Sequence, residues 1–289
     1  MNSILRSLLY FCLIWLAIST RAQGVDSKTD PNNFSFIVAG HAYGAPGAKN
    51  DPFHPPFMKT MDSLKRTDSI DFMVLTGDIV QKSNARSWDK VEGYLAALDM
   101  SVFFAPGNHD LTDRELYTER YGQSNFSFEI GNNLFIVLDL MDSGWNIPEG
   151  RLNAIWNKCD EHRYENVFIF SHHIFWYDEE ITPKIKPNSL YAKSDVLTFY
   201  TMALPLLKSI RSNVYVYGGD VGANAIGSEL SLLKHERVHL IASGMGGGKW
   251  DNILKVSVEN EIVQTELIYL QNHKSEVVDT MYTNLIIDE

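Results

Sequence analysis

The chain has 289 residues, a formal net charge of −11 and 45% hydrophobic residues. That length supports one large domain with a substantial buried core, and the acidic balance argues against nonspecific binding of nucleic acid or anionic lipid. Its two cysteines, Cys12 and Cys159, fall on either side of a predicted processing site, which leaves one thiol and no internal disulfide after cleavage.

In chain order, residues 1–22 read as a signal peptide. Arg6 precedes an uncharged apolar run from Leu8 to Ile18, and Thr20-Arg21-Ala22 offers small residues for cleavage. The run is shorter than the ~20 apolar residues a spanning helix needs, so no membrane span is expected after cleavage. An exported protein, periplasmic or secreted, is the expectation. Loss of Arg6 and Arg21 would leave the remainder more acidic still. Residues 23–33 are polar and turn-forming and read as a linker, followed by one domain over 34–289.

Short apolar runs of strand length recur at Phe34 to Ala39, Phe72 to Thr76, Val102 to Ala105, Val167 to Ser171, Val214 to Tyr217 and His239 to Ala242. They are too apolar to have a face in water. Amphipathic stretches between them predict helices at Phe57 to Arg66, Trp88 to Leu98, Arg114 to Tyr121, Glu149 to Asp160 and Phe199 to Ile210. Two hairpins are expected, one from Asn125 to Leu140 around Gly131-Asn132-Asn133 and one from Ile253 to Leu270 around Glu259-Asn260-Glu261. Strands alternating with helices, interrupted by hairpins, predict mixed α/β sheets covered by helices.

Several of these strands end in a polar metal-ligand type, mostly after glycine: Gly40-His41, Gly77-Asp78, Gly107-Asn108-His109-Asp110, Ser171-His172-His173 and Gly219-Asp220. Loops beyond the carboxyl ends of strands converge on one crevice in open α/β sheets, and glycine there permits tight turns. Carboxylates, an amide and imidazoles delivered to one edge make a site for a hard or borderline divalent metal.

Thr76-Gly77-Asp78, Gly107-Asn108-His109-Asp110 and Ser171-His172-His173, each after a strand and in this order, resemble the calcineurin-like metallophosphoesterase family. The resemblance runs from Phe34 to about Leu270. It implies two packed mixed sheets flanked by helices, a four-layer αββα sandwich, and metal-dependent hydrolysis of phosphate esters. By resemblance Asp78 bridges two metals, Asn108 and His172 bind the second, and His109 stabilises or protonates the reacting phosphate with support from Asp110. A metal pair of this kind lowers the pKa of a bound water, which then attacks phosphorus.

Two positions depart from the family pattern. Gly40-His41-Ala42-Tyr43 puts His41 where the family has aspartate and Tyr43 where it has histidine; Gly219-Asp220-Val221-Gly222 puts Asp220 at the first histidine of the last motif. The second metal then has Asp78, Asn108, His172 and Asp220, while the first has Asp78, His41 and either ligation by Tyr43 or a structural tyrosine. The expected cofactor is one tightly held divalent ion and a second, weaker one (Mn, Fe or Zn). His173 is read as either a substrate contact or a packed residue, and Trp176 as either an aromatic wall of the substrate pocket or ordinary core. Ser243 to Lys249 has the wrong glycine spacing for a phosphate loop and reads as a glycine turn beside the site. The leading expectation is an exported phosphoesterase acting on a small or surface-linked phosphate ester. Its alternatives are a non-hydrolytic binding protein on this fold and an accessory component of envelope polysaccharide assembly.

Overall fold

A computed structural model describes residues 29–144, 146–182, 184–189, 198–223 and 230–278. The predicted signal peptide lies outside the described residues. In chain order the strands are β1 (Asn33–Gly40), β2 (Phe72–Thr76), β3 (Ser101–Phe104), β4 (Phe126–Ile130), β5 (Asn133–Leu138), β6 (Asn166–Ser171), β7 (Asn213–Gly218), β8 (Leu230–His235), β9 (Val238–Ser243), β10 (Asn252–Glu259), β11 (Ile262–Tyr269) and β12 (Ser275–Val277). The helices are α1 (Pro55–Thr67), α2 (Ala85–Leu98), α3 (Arg114–Tyr121), α4 (Glu149–Glu161) and α5 (Leu204–Ser209), the last entered through a π-helical turn at Phe199–Ala203. Among the described residues, no helix is long and apolar enough to cross a membrane.

The strands form two six-stranded sheets, in the orders β12-β11-β10-β1-β2-β3 and β4-β5-β6-β7-β9-β8. Each is mixed. Parallel pairs β1–β2 and β2–β3 sit beside the antiparallel β10–β11–β12 meander, and parallel β5, β6, β7 and β9 are bordered by antiparallel β4 and β8. The antiparallel partners cap the parallel strands, whose crossovers supply the helices.

Alternation along the parallel strands explains why they carry no polar face. Phe34, Phe36 and Val38 of β1 point between the sheets, while Ile37 and Ala39 face a second core under α1 and α2. In β6, Phe168 and Phe170 enter the inter-sheet core and Val167 and Ile169 a third core on the opposite, helical side. The parallel strands of both sheets are thus covered on both faces, giving four layers. The middle layer is aromatic: Phe36 stacks on Phe72 with centroids 4.8 Å apart, Phe135 on Phe168 at 4.9 Å, and Phe36 meets Phe168 edge-on at 5.4 Å. Cys159 on α4 is partly buried, and burial raises its thiol pKa to about 11, so it is not a reactive thiolate.

Register brings the functional ends level. Gly40 pairs with Thr76 at the end of β1–β2, and Ser171, Gly218 and Ala242 align at the ends of β6, β7 and β9. The two sheets nearly touch there. A Cβ on Gly219 would lie 1.9 Å from the Thr76 carbonyl oxygen, and one on Gly77 would lie 2.4 Å from His172 Nδ1. Only glycine admits that approach, and Gly77 also has φ +79°.

Candidate metal centre

His41, Asp78, His172 and Asp220 sit on the turns immediately after β1, β2, β6 and β7, and all four are buried. His41 and Asp78 adopt positive φ (56° and 50°), a strained backbone for residues with side chains. The Gly77 carbonyl accepts a hydrogen bond from the His41 N–H at 3.0 Å and the Asp78 carbonyl from the Tyr43 N–H at 3.1 Å, so the first two turns hold each other.

One oxygen atom from each of Asp78 and Asp220 and one nitrogen of His172 lie within 4.8 Å of one another. His172 Nε2 is 3.4 Å from Asp78 Oδ1 and 3.5 Å from Asp220 Oδ1. His172 Nδ1 lies 3.0 Å from the Thr76 carbonyl oxygen. Donation to that carbonyl would fix the tautomer and leave the Nε2 lone pair facing the carboxylates, the usual arrangement of a metal-ligating histidine. Burial pulls the His172 pKa down, but Asp78, Asp220 and the Thr76 carbonyl outweigh it and the net direction is up. On the other side of the bridging candidate, His41 Nε2 is 3.4 Å from Asp78 Oδ2. Burial lowers the His41 pKa to about 4 against the pull of Asp78, so the ring is neutral with a lone pair to offer.

These residues fit a divalent cation. Two buried carboxylates converge on an imidazole nitrogen that has no hydrogen-bond partner, and buried like charges require a compensating cation or proton. Asn108 adjoins the group: Ser189 donates its hydroxyl to Asn108 Oδ1 at 3.4 Å and its backbone N–H to Asp220 Oδ2 at 3.3 Å.

His109 takes a different position. Its backbone N–H donates to Asp78 Oδ1 at 3.2 Å, its Nδ1 lies 2.7 Å from the Gln81 carbonyl oxygen, and its Nε2 is 3.5 Å from the Tyr43 hydroxyl. The imidazole is therefore held beside the carboxylate group and remains partly exposed. The Tyr43 ring packs at a tilt against both His41 and His109, with ring centroids 4.3 and 5.0 Å away and interplanar angles of 47° and 52°. Burial and then the charges of Asp78, Asp220 and Asp110 raise its pKa, so it is a neutral phenol turned toward His109.

The geometry corrects the expectation for Asp110 and favours the packed reading of the two left open for each of Trp176 and His173. Asp110 does not support the His109 ring; its Oδ1 accepts the N–H groups of Ile79 (2.9 Å) and Val80 (3.0 Å), and its Oδ2 that of Gly107 (2.8 Å). It clamps the β2 and β3 loops together. Trp176 is no pocket wall, because its ring is fully buried in the helical-side core and packs against Gly218. His173 is also buried, 5.0 Å from the His172 ring, and burial followed by His172 drives its pKa far down; it is a neutral packed residue rather than an exposed contact.

Two contributors had not been singled out. Ser189 bridges Asp220 and Asn108 as above, from a stretch with no readable pattern. Asp251 accepts N–H bonds from Gly246, Gly247 and Gly248 at 2.9–3.0 Å and lies 3.0 Å from His54 Nε2, fixing the glycine turn beside the site. An aspartate three residues beyond a run of three glycines is a signal that could have been read.

The model of the calcineurin-like phosphoesterase family matches residues 52–244. The chain belongs to that family. The match includes Asp78, Asn108, His109, His172 and Asp220 but begins beyond His41 and Tyr43. Among curated proteins, the chain is 29% identical over 85 residues to a 3′,5′-cyclic-nucleotide phosphodiesterase of Nostoc sp., covering 28% of this chain and 31% of that protein. It is 28% identical over 116 residues to a 3′,5′-cyclic adenosine monophosphate phosphodiesterase of Vibrio vulnificus, covering 38% of this chain and 42% of that protein. The chain thus spans less than half the length of these relatives. Among solved structures it resembles GAP50, the anchor in the inner membrane complex of Plasmodium, with a TM-score of 0.57 and 14% identity over 85% of this chain and 88% of that one.

Proposed function

We propose that the protein is an exported, metal-dependent phosphoesterase that hydrolyses a small or surface-linked phosphate ester. The observation that carries this reading is the placement of Asp78, with Oδ1 toward His172 and Asp220 and Oδ2 toward His41. One carboxylate so placed can serve two cations. Bound divalent ions would supply an activated water and positive charge for the phosphoryl oxygens.

The chain's own residues do the rest. His172, Asp220 and Asn108 would complete the more fully liganded side of Asp78, and His41 the sparser side. His109, partly exposed and anchored through Nδ1, presents Nε2 where the protonated ring can donate to a phosphoryl or leaving oxygen. Tyr43, a neutral phenol beside it, can steady that ring or donate to the same oxygen. The weak similarity to cyclic-nucleotide phosphodiesterases makes cyclic nucleotides members of the substrate panel.

The test is metal analysis of the purified chain together with hydrolysis of phosphate monoesters, diesters and cyclic nucleotides under added manganese, iron or zinc. Turnover with one tightly held ion and activation by further metal is the expected result. A second reading, a non-hydrolytic binding protein, is favoured by the sparse His41 side, where Tyr43 is turned toward His109 rather than toward Asp78. Metal binding without turnover of any ester would select it. Export is tested separately: N-terminal sequencing of the secreted or periplasmic protein should begin near Gln23.

A further inference from the structure

A cleft of about 350 Å³ opens beside the metal centre, lined by Tyr43, Lys49, Asn50, Asp51, Gln81, Lys82, Arg86 and Lys90 among others. It adjoins the proposed catalytic group through two residues. Tyr43 forms part of its wall while packing at a tilt against His41 and His109, and the Gln81 carbonyl anchors His109 Nδ1. The cleft is basic in an acidic chain: four cationic side chains face one carboxylate, against a formal net charge of −11 for the whole chain. Lys90 is paired with Asp51. Lys49, Lys82 and Arg86 have no carboxylate partner among the described residues. Arg86 and Lys90 stand one turn apart on α2, so two like charges share one side of the helix. A cation cluster beside a centre of buried aspartates concentrates positive potential where an anion would approach.

We infer that this cleft binds a second anionic group of the substrate, so that the favoured substrate is a small phosphoester carrying a further phosphate or comparable anion besides the one hydrolysed. The inference rests on the phosphoesterase reading. It adds a specificity determinant to it: Lys82 and Arg86 hold the unreacted anion while the reacting phosphate sits at Asp78, His109 and His172. Lys90, on the same helix as Arg86, and Lys49, on the loop after β1, contribute to the same field.

The experiment compares adenosine 3′,5′-bisphosphate with adenosine 5′-monophosphate on the manganese-supplemented chain, reading binding by calorimetry and turnover by released phosphate. The wild type should bind the bisphosphate at least ~10-fold more tightly than the monophosphate. The double variant Lys82→Gln/Arg86→Gln should bring that ratio close to one, and added salt should erode it in the wild type because exposed charges are screened. Equal binding of the two nucleotides by the wild type, or a preference unchanged in the double variant, overturns the inference even if both esters are hydrolysed. A preference that depends on Lys82 and Arg86 without turnover of either ester would keep the cleft and remove the hydrolase reading.

Discussion

Asp78 and Asp110 are buried aspartates on adjacent loops, the first after β2 and the second after β3. Asp110 accepts three backbone N–H bonds, and its charge is spent on holding two loops in place. Asp78 accepts one such bond, from His109, and otherwise faces the imidazoles of His41 and His172. Burial and then the Asp78 charge push the Asp110 pKa up despite its donors, so the clamp itself feels the neighbouring carboxylate. The difference separates two uses of one residue type. A carboxylate saturated by backbone donors is architecture, and one facing imidazole nitrogens is a ligand.

That division can be broken experimentally, beginning with its strongest consequence. Asp78→Ala should abolish both metal retention and hydrolysis while the protein remains folded; full activity would sink the phosphoesterase reading. Asp110→Ala should act on stability first. It strands three buried donors at roughly 1–3 kcal/mol each, so chemical denaturation should show a loss of about 3 kcal/mol or more. An Asp110→Ala protein of wild-type stability that had lost its metal would reverse the two assignments.

His109→Ala should lower turnover by roughly 10²-fold with metal content nearly unchanged, because the proposed role is proton donation or charge stabilisation rather than ligation. Comparable metal loss would make His109 a ligand. The two sides of Asp78 are separated by a metal titration: Asp220→Ala should remove the tight equivalent, and His41→Ala should spare it and weaken only the second. Two equally tight equivalents in the wild type would show that the sides are not distinct.

A further effect is predicted far from the carboxyl ends of the strands. His239, at the opposite end of β9, stacks on Tyr215 at 4.8 Å, and burial followed by Lys234 lowers its pKa to about 4. A folded pKa below the unfolded value of ~6.5 means that the unfolded chain binds more protons as pH falls. Stability should therefore decline between about pH 6.5 and 4, with a slope of up to ~1.4 kcal/mol per unit from this group. Replacement by phenylalanine should flatten that slope; an unchanged slope would assign the acid sensitivity elsewhere.

Local pattern and global placement divided the information in this chain unevenly. The apolar runs predicted the strands that are covered on both faces, since such strands cannot alternate with polar residues, and both hairpins followed from turn residues between apolar stretches. Edge strands β8 and β12 were missed. β8 is only partly buried and carries Lys234 and His235, and β12 is three residues long, so neither has the apolar content that marks a central strand. The helix expected at Phe199 to Ile210 begins instead with a π-helical turn before Leu204–Ser209, a departure that its apolar spacing does not register.

At the site, the sequence by itself determined which residue types stand at the strand ends, because glycine followed by a ligand-type side chain is written locally. It could not decide which aspartate meets backbone donors and which meets histidines. That depends on how the β2 and β3 loops pack on each other and on the second sheet, through contacts such as Gly77 against His172 and Gly219 against Thr76. Nor could it place Trp176, where a turn closed by the Tyr177 N–H on the Ile174 carbonyl at 2.8 Å folds the chain back and buries the ring against Gly218. Which side of a loop a residue faces is set by long-range packing, and only the tertiary structure carries it.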